Sequence, residues 1–461
     1  MALKEILAFI PEVKKPIEKK VGFNLKLKWT LIVLGAFFIL YNIPLYGLSA
    51  NAFQRFEFLA LILGTDFGSI ISLGIGPIVT ASIILQLLTG AGILGIDTKT
   101  EEGRKLFQGI QKIGVLFFII FEAFVFVLMR GLEANAGYEG MVIFQLILGG
   151  LAIMYMDEVT TKWGFGSGIS LFILAGVALQ LFVGLFQFVG TAGENCLINF
   201  GETACSGKIL IVIQSIINGA PKEAMLALII IVITAVIFLA VVWAQSLKVE
   251  IPLSYDRLRG YGVKWPLQFF YASNLPVILV AALAANVQLF ASLLENWLGK
   301  ATILGGFSNG QPISGFSFWI GSSDLVNAAI TKSLTAAHLL QGVFHLLFYI
   351  VFSVIFSIFW VKTTGMDAAG QAKNIINSGL QIPGFRKDER ILESVLNRYI
   401  MPLTVMGGIA IGALASIANL LGALTSGTAI LLAVTISYQF YQNIAKEHAV
   451  DMHPAMKKMI G

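Results

Sequence analysis

The sequence predicts an all-α membrane protein of ten transmembrane helices, arranged as two inverted halves of five. Three observations predict it. First, 57% of the 461 residues are hydrophobic and only 12% are charged, about half the charged share of a soluble domain, and the mean hydropathy is +0.84. Second, ten apolar stretches are each long enough to cross a hydrocarbon core of about 30 Å: about 29–48, 70–90, 111–130, 139–158, 167–190, 223–246, 269–290, 337–361, 401–421 and 427–445. Third, with the N-terminus placed in the cytoplasm, 25 of the 31 Lys and Arg residues fall in cytoplasmic segments. That bias sets orientation in membrane proteins, and an even number of spans returns the C-terminus to the same side.

The elements follow in order. Residues 1–28 are basic and interrupted by Pro11 and Pro16. Trp29 opens a full-length span rather than the short core of a cleavable signal, so all spans are expected to be retained. The N-terminal half takes residues 29–190, the external loop 191–222 leads to the second half at 223–445, and 446–461 forms a cytoplasmic tail. Five spans on each side of the loop force the second half to enter from the opposite face, which makes the halves inverted repeats. The second span of each half is interrupted near its start. Gly76-Pro77 breaks Gly68–Gly90, and Asn274 and Pro276 break Tyr271–Leu289. Backbone groups freed inside a membrane find partners only against protein or a cavity. Both segments are therefore expected to line a path through the membrane.

The chemistry is sparse. An ion-coupled transporter needs ionisable groups deep in the membrane, usually paired. Here Glu122 lies mid-span, while Asp157, Glu158, Lys248 and Glu250 lie at span ends. Gln86, Asn286 and Gln288 read as interhelical hydrogen-bonding groups, and His338 and His345, seven apart on one face, as packing groups. No Cys/His spacing suggests a metal site. No phosphate loop or nucleophile motif occurs, so neither a cofactor nor an enzymatic activity is expected. Cys196 and Cys205 both lie in the external loop, where they could pair as a disulfide or stay as free thiols.

Ile75 and Val79 are four apart and share a helix face, as do Ile169 and Ile173. If both faces meet one cavity, they form an apolar collar that excludes ions and water by dewetting; ordinary packing is the plain alternative. Asn51–Asp66 is apolar but too short to cross, which suits a re-entrant or interfacial piece. The cytoplasmic loops 248–268 and 362–400 carry Arg257, Arg259, Arg386, Lys387 and Arg390. These read as positive-inside charge or as a dock for RNA phosphates. A secondary transporter and a pore-free scaffold remain alternatives at this level.

Several segments are specific in their wording: LGIGPIVTASIILQLL (73–88), MDEVTTKWGFGSGISLFI (156–173), KVEIPLSYDRLRG (248–260), YASNLPVIL (271–279), GFRKDERILESVLNRYIMPLTVMGG (384–408) and IANLLGALTSGTAILL (417–432). With them the chain resembles, nearly end to end, the SecY family, the pore subunit of the Sec protein-conducting channel. The wording around Gly76-Pro77 looks like the archaeal and eukaryotic branch.

The resemblance implies a clamshell hinged at the loop between spans five and six. It implies a pore ring of Ile75, Val79, Ile169, Ile173, Ile278 and Leu432. It implies a plug over about 55–66, with Arg55, Phe56, Glu57, Phe58, Leu59, Leu61, Ile62 and Leu63. A lateral gate would open between spans two and three and spans seven and eight, with Thr80, Glu122 and Asn274 as its polar cluster. Glu122 stands where a Gln is familiar in eukaryotic relatives. Arg257, Arg259, Arg386, Lys387 and Arg390 would meet the ribosome and its RNA. The implied partners are a SecE-type γ subunit, a β subunit, signal sequences, nascent polypeptides and membrane lipids, without a bacterial-type motor ATPase. The implied location is the cell membrane, multi-pass, with both termini cytoplasmic.

Overall fold

A computed structural model describes residues 11–16, 21–48, 68–90, 93–96, 100–128, 132–188, 190, 196, 205–255, 262–272, 275–308, 311–378, 380–381 and 388–452. In chain order the elements begin with α1 (Phe23–Tyr41), α2 (Gly76–Gly90), α3 (Glu101–Leu128), α4 (Glu139–Trp163), α5 (Gly168–Phe186), α6 (Lys208–Ile217) and α7 (Pro221–Ser246). They continue with β1 (Lys248–Tyr255), β2 (Gly262–Gln268), α8 (Leu275–Leu298), β3 (Gly306–Ser308), β4 (Gln311–Ser314), α9 (Gly315–Ile320) and α10 (Leu325–Ile330). The last are α11 (Ala336–Thr363), α12 (Ala368–Asn377), β5 (Leu380–Gln381), α13 (Glu389–Leu420) and α14 (Gly427–Met452).

Each of the ten predicted spans contains a helix, although 42–48, 70–75 and 269–272 are not helical. Eight helices among the described residues are long and apolar enough to cross a membrane. The other two spans are α2, whose fifteen residues reach only about 22 Å, and α14, whose apolar run is diluted by Thr435, Ser437, Gln439 and Asn443. Two helices start well before their predicted spans. The overhang of α3 begins with Glu101 and Glu102, which suit the positive end of the helix dipole. The overhang of α13 begins behind Asp388, whose carboxylate accepts from the Arg390 N–H at 2.9 Å.

The predicted breaks prove to be helix starts. Pro77 is the second residue of α2 and Pro276 the second of α8, positions where the missing N–H costs nothing. Ahead of α2, residues 68–75 are non-helical and almost wholly buried. Their backbone groups are satisfied locally. The Ile70 N–H donates to Ile43 O at 3.0 Å, Leu45 donates to Gly68 O at 2.6 Å, and the Gly68 N–H donates to the Ser72 hydroxyl at 2.8 Å. A side chain at Gly149 on α4 would collide with the Ile70 carbonyl, so this glycine is what lets the unwound stretch lie against α4.

The two halves meet along two seams. On one side α2 packs on α8 and α11; on the other α14 packs on α5 and α1. Within the C-terminal half, α11 and α13 cross closely. A Cβ at Gly408 would lie 3.0 Å from the Val354 Cα, and one at Gly412 2.7 Å from the Tyr349 carbonyl. Small residues of this kind let membrane helices approach.

The all-α expectation needs amending at both faces. On the predicted cytoplasmic face, loop 248–268 is an antiparallel hairpin of β1 and β2, registered from Lys248↔Gln268 to Ser254↔Gly262. Loop 362–400 supplies α12 and β5, and β5 extends the sheet by pairing with β1. Ile251, Leu267, Ala372, Ile375, Leu392 and Leu396 form a small core between them. The two loops are thus one folded unit. On the opposite face, β3 and β4 pair as a hairpin beside α9, and α6 occupies part of the predicted external loop and packs on α7.

Candidate functional site

Five of the six candidate ring residues lie on four helices, α2, α5, α8 and α14, and Ile75 immediately precedes α2. These helices meet across the two seams. Ile75, Val79, Ile173, Ile278 and Leu432 are each 5–7% exposed and belong to one continuous apolar core. Ile169 is half-buried at its edge.

All six sit at or next to the first two turns of their helices, and hydrogen bonds set the starts of α2, α5 and α14. The Val79 N–H donates to Ile75 O at 3.0 Å, so those two residues stand one turn apart. The buried Asp157 carboxylate of α4 accepts from the Ile169 N–H at 2.9 Å, and the Ser167 hydroxyl accepts from Ser170 N at 3.5 Å; together they cap α5. Asn419 Oδ1 accepts from the Gly427 N–H at 2.7 Å, which sets the start of α14. Capping of this kind satisfies otherwise orphaned N–H groups and leaves the first turns rigid enough to present a ring.

Beside the ring lies a polar bridge. Asn286 Nδ2 of α8 donates to the Thr80 hydroxyl of α2 at 3.0 Å. That hydroxyl lies 2.9 Å from Gly76 O and 3.3 Å from Glu122 Oε1 of α3. One hydroxyl carries one proton and two lone pairs, so Thr80 accepts from Asn286 while donating to either oxygen. Gln111 Nε2 of α3 adds a second α3–α2 contact, donating to the Ser82 hydroxyl at 2.7 Å. The bridge therefore runs α8–α2–α3 across the first seam.

The structure brings Thr80 and Glu122 together, and Asn286 is the α8 residue that joins them. Asn274, expected in that role, lies outside the described residues. So do the whole predicted plug, about 55–66, and Arg257, Arg259, Arg386 and Lys387. Arg390 is exposed in the first turn of α13, beside the folded cytoplasmic unit.

The other polar candidates separate clearly. Asn286 makes the interhelical bond expected of it, whereas Gln86 Oε1 is buried with no partner among the described residues. His338 caps α11 through Thr335 and is half-buried. His345 is buried against the Ile320 carbonyl at 2.5 Å. Cys196 and Cys205 form a disulfide with Cα atoms 5.4 Å apart, buried beside Leu210. Among the described residues no group of three metal-ligating side chains occurs.

The pattern of the SecY family matches residues 69–441 of this chain. The chain is 40% identical to the protein translocase subunit SecY of Methanothermobacter thermautotrophicus, over 99% of this chain and 98% of that one. Its fold is similar to a solved structure described as that of a protein conducting channel, with a TM-score of 0.83, 38% identity, and 98% of this chain and 99% of that chain covered. It is similar as well to Sec61 in the canine ribosome–channel complex from the endoplasmic reticulum, with a TM-score of 0.81, 37% identity and coverage of 98% and 99%. A family match across most of the length, together with a full-length relative at this identity, means that the chain belongs to the SecY family.

Proposed function

We propose that this chain is the central pore subunit of a protein-conducting channel. It passes secretory polypeptides across the membrane and releases transmembrane segments sideways through a lateral gate, co-translationally with ribosomes. The observation that carries this reading is the placement of the ring candidates on helices that meet across both seams. A collar there widens when the halves part and closes when they meet.

The physical mechanism follows. At rest, apolar side chains such as Val79, Ile173 and Ile278 exclude water and ions by dewetting. An apolar signal helix entering the first seam exchanges water or lipid for protein contact. It binds the parted state better, and so shifts the population towards it. The Asn286–Thr80–Glu122 bridge sets how much burial the signal must supply.

A SecE-type γ subunit, a β subunit and the ribosome are the proposed partners, and the cell membrane the proposed location. The canine relative was solved in a ribosome–channel complex. The folded unit made by the two cytoplasmic loops, with Arg390 exposed on it, offers a firm surface for ribosomal RNA phosphates.

The test is a crosslink. Cys196 and Cys205 are replaced, one cysteine is placed at Ile278, and the channel is reconstituted with its partners. A ribosome-stalled, signal-bearing chain with a single cysteine is then presented. A signal-dependent crosslink supports a polypeptide path through the ring. Its absence, with the ribosome bound, contradicts that path.

A further inference from the structure

The described N-terminal segment, residues 11–16, lies across the cytoplasmic ends of α3 and α4. Its contacts are unusual in kind. Lys112 Nζ donates to Pro11 O at 2.9 Å. The Val13 N–H donates to Glu158 Oε2 at 3.0 Å. Lys162 Nζ donates to Val13 O at 2.7 Å, and the Trp163 indole N–H donates to Lys14 O at 2.9 Å. All four bonds are to main-chain groups. Among the described residues one side-chain ion pair accompanies them, Lys162 to Glu12 at 2.5 Å.

The side chains of the cleft also hold one another. Lys112 and Glu158 form an ion pair, with side chains 17% and 16% exposed. Lys162 reaches the same Glu158 at 3.5 Å, and Lys112 also lies over the Tyr155 ring. Charge within it is largely balanced, so it offers no strong field for a polyanion. The segment itself is lightly held. Pro11, Glu12, Lys14 and Lys15 are exposed, and only Val13 and Pro16 are half-buried. An occupant that buries little and is bound through groups every residue possesses is replaceable by any extended chain.

A cavity of about 620 Å³ adjoins the segment through Glu12, Lys15 and Pro16 and reaches Ile78 on α2. Ile78 is the neighbour in sequence of the ring candidate Val79. The cleft therefore stands beside a cavity that reaches α2 one residue along the chain from the candidate Val79.

We infer that Lys112, Glu158, Lys162 and Trp163 form a binding site for extended polypeptide main chain, occupied at rest by residues 11–14 and taken over by the incoming chain. Recognition through carbonyl and amide groups suits a substrate of arbitrary sequence, as in other sites that read the main chain of an extended peptide. The inference rests on the channel reading above, and its test separates the two.

A photoreactive residue replaces Thr161, which lines the cavity and is exposed, in the reconstituted complex; a second preparation carries the same probe at Ile278. In the idle channel the Thr161 probe is expected to label the N-terminal segment. With a stalled secretory chain long enough to reach the ring, that label should fall and be replaced by a crosslink to the nascent chain. Val13→Pro removes the amide that Glu158 accepts. It should loosen the segment and raise the nascent-chain crosslink at Thr161. Crosslinking of the nascent chain at Ile278 with none at Thr161, and an unchanged N-terminal label, overturns the cleft while leaving the channel standing. Absence of the crosslink at both positions overturns the channel reading and the cleft with it.

Discussion

The two seams between the halves are closed by different chemistry. At the first, α8 holds α2 through the Asn286–Thr80 bond, and Glu122 of α3 stands behind it. At the second, apolar surfaces lie directly on glycine. A side chain at Gly184 of α5 would meet Leu424 at 3.2 Å, and one at Gly166, before α5, would meet Phe440 of α14 at 3.7 Å. Water, lipid headgroups or a signal peptide can replace a polar bond. Nothing in an aqueous or lipid phase replaces close packing at the same density. On the proposed reading, this difference makes the first seam the one that parts and the second the one that stays closed while it flexes.

The predictions sharpen that contrast, beginning with the largest effect. Replacing the six ring residues, Ile75, Val79, Ile169, Ile173, Ile278 and Leu432, by Gly should abolish the seal and make the resting channel leak ions. Single-channel conductance checks this, and a conductance equal to wild type contradicts the ring. Next, Asn286→Leu should favour the closed seam, because Leu is at home in the buried contact and costly when the seam parts into water. Burying a Leu side chain is worth about 1.5–3 kcal/mol relative to exposing it, which outweighs the ~0.6 kcal/mol of the lost interhelical bond, so the balance should move towards closed by about fivefold or more. Signals should need greater hydrophobicity, measured as translocation across a graded signal series. Unchanged or reduced dependence would argue against the bridge.

Glu122→Gln keeps an oxygen in reach of Thr80 and should change that series less than Glu122→Leu, which removes the contact. Equal effects would mean that the Thr80 contact is idle. The smallest effect concerns Glu12. Its hydrogen bond to Lys162 holds its carboxyl below the ordinary value of 4.5. The stabilisation it lends the N-terminal segment is therefore full above that value and is lost as pH falls through the lowered one. A spin label at Lys14 should grow more mobile only at such acid pH. Mobility that rises near neutrality would contradict this.

The positions of the ten spans were legible because membrane spans announce themselves by apolar length. The apolar i, i+4 pairs at the starts of α2 and α5 were legible from spacing, whereas grouping them with Ile278 and Leu432 as a candidate ring needed the family resemblance. What periodicity along one helix cannot supply is the register between helices. Asn286 was visible as a polar residue in an apolar span, but only packing shows that it stands level with Thr80. The cytoplasmic hairpin had a local signal that went unused. Val249, Ile251, Leu253 and Tyr255 alternate with other residues, and Gly260 and Gly262 follow, the pattern of a strand leading into a turn. The N-terminal contacts had no sequence signal, because main-chain groups are the same in every residue.

The central claim is that the first seam opens and the second hinges, and paired cysteines test it most directly. In a variant without Cys196 and Cys205, Thr80→Cys with Asn286→Cys bridges α2 to α8, while Gly184→Cys with Leu424→Cys bridges the second seam. Translocation of a secretory chain is measured for each, oxidised and then reduced. The account predicts that the first bridge stops translocation until it is reduced and that the second leaves it running. Translocation through an oxidised first seam, or a block by the second alone, would contradict it.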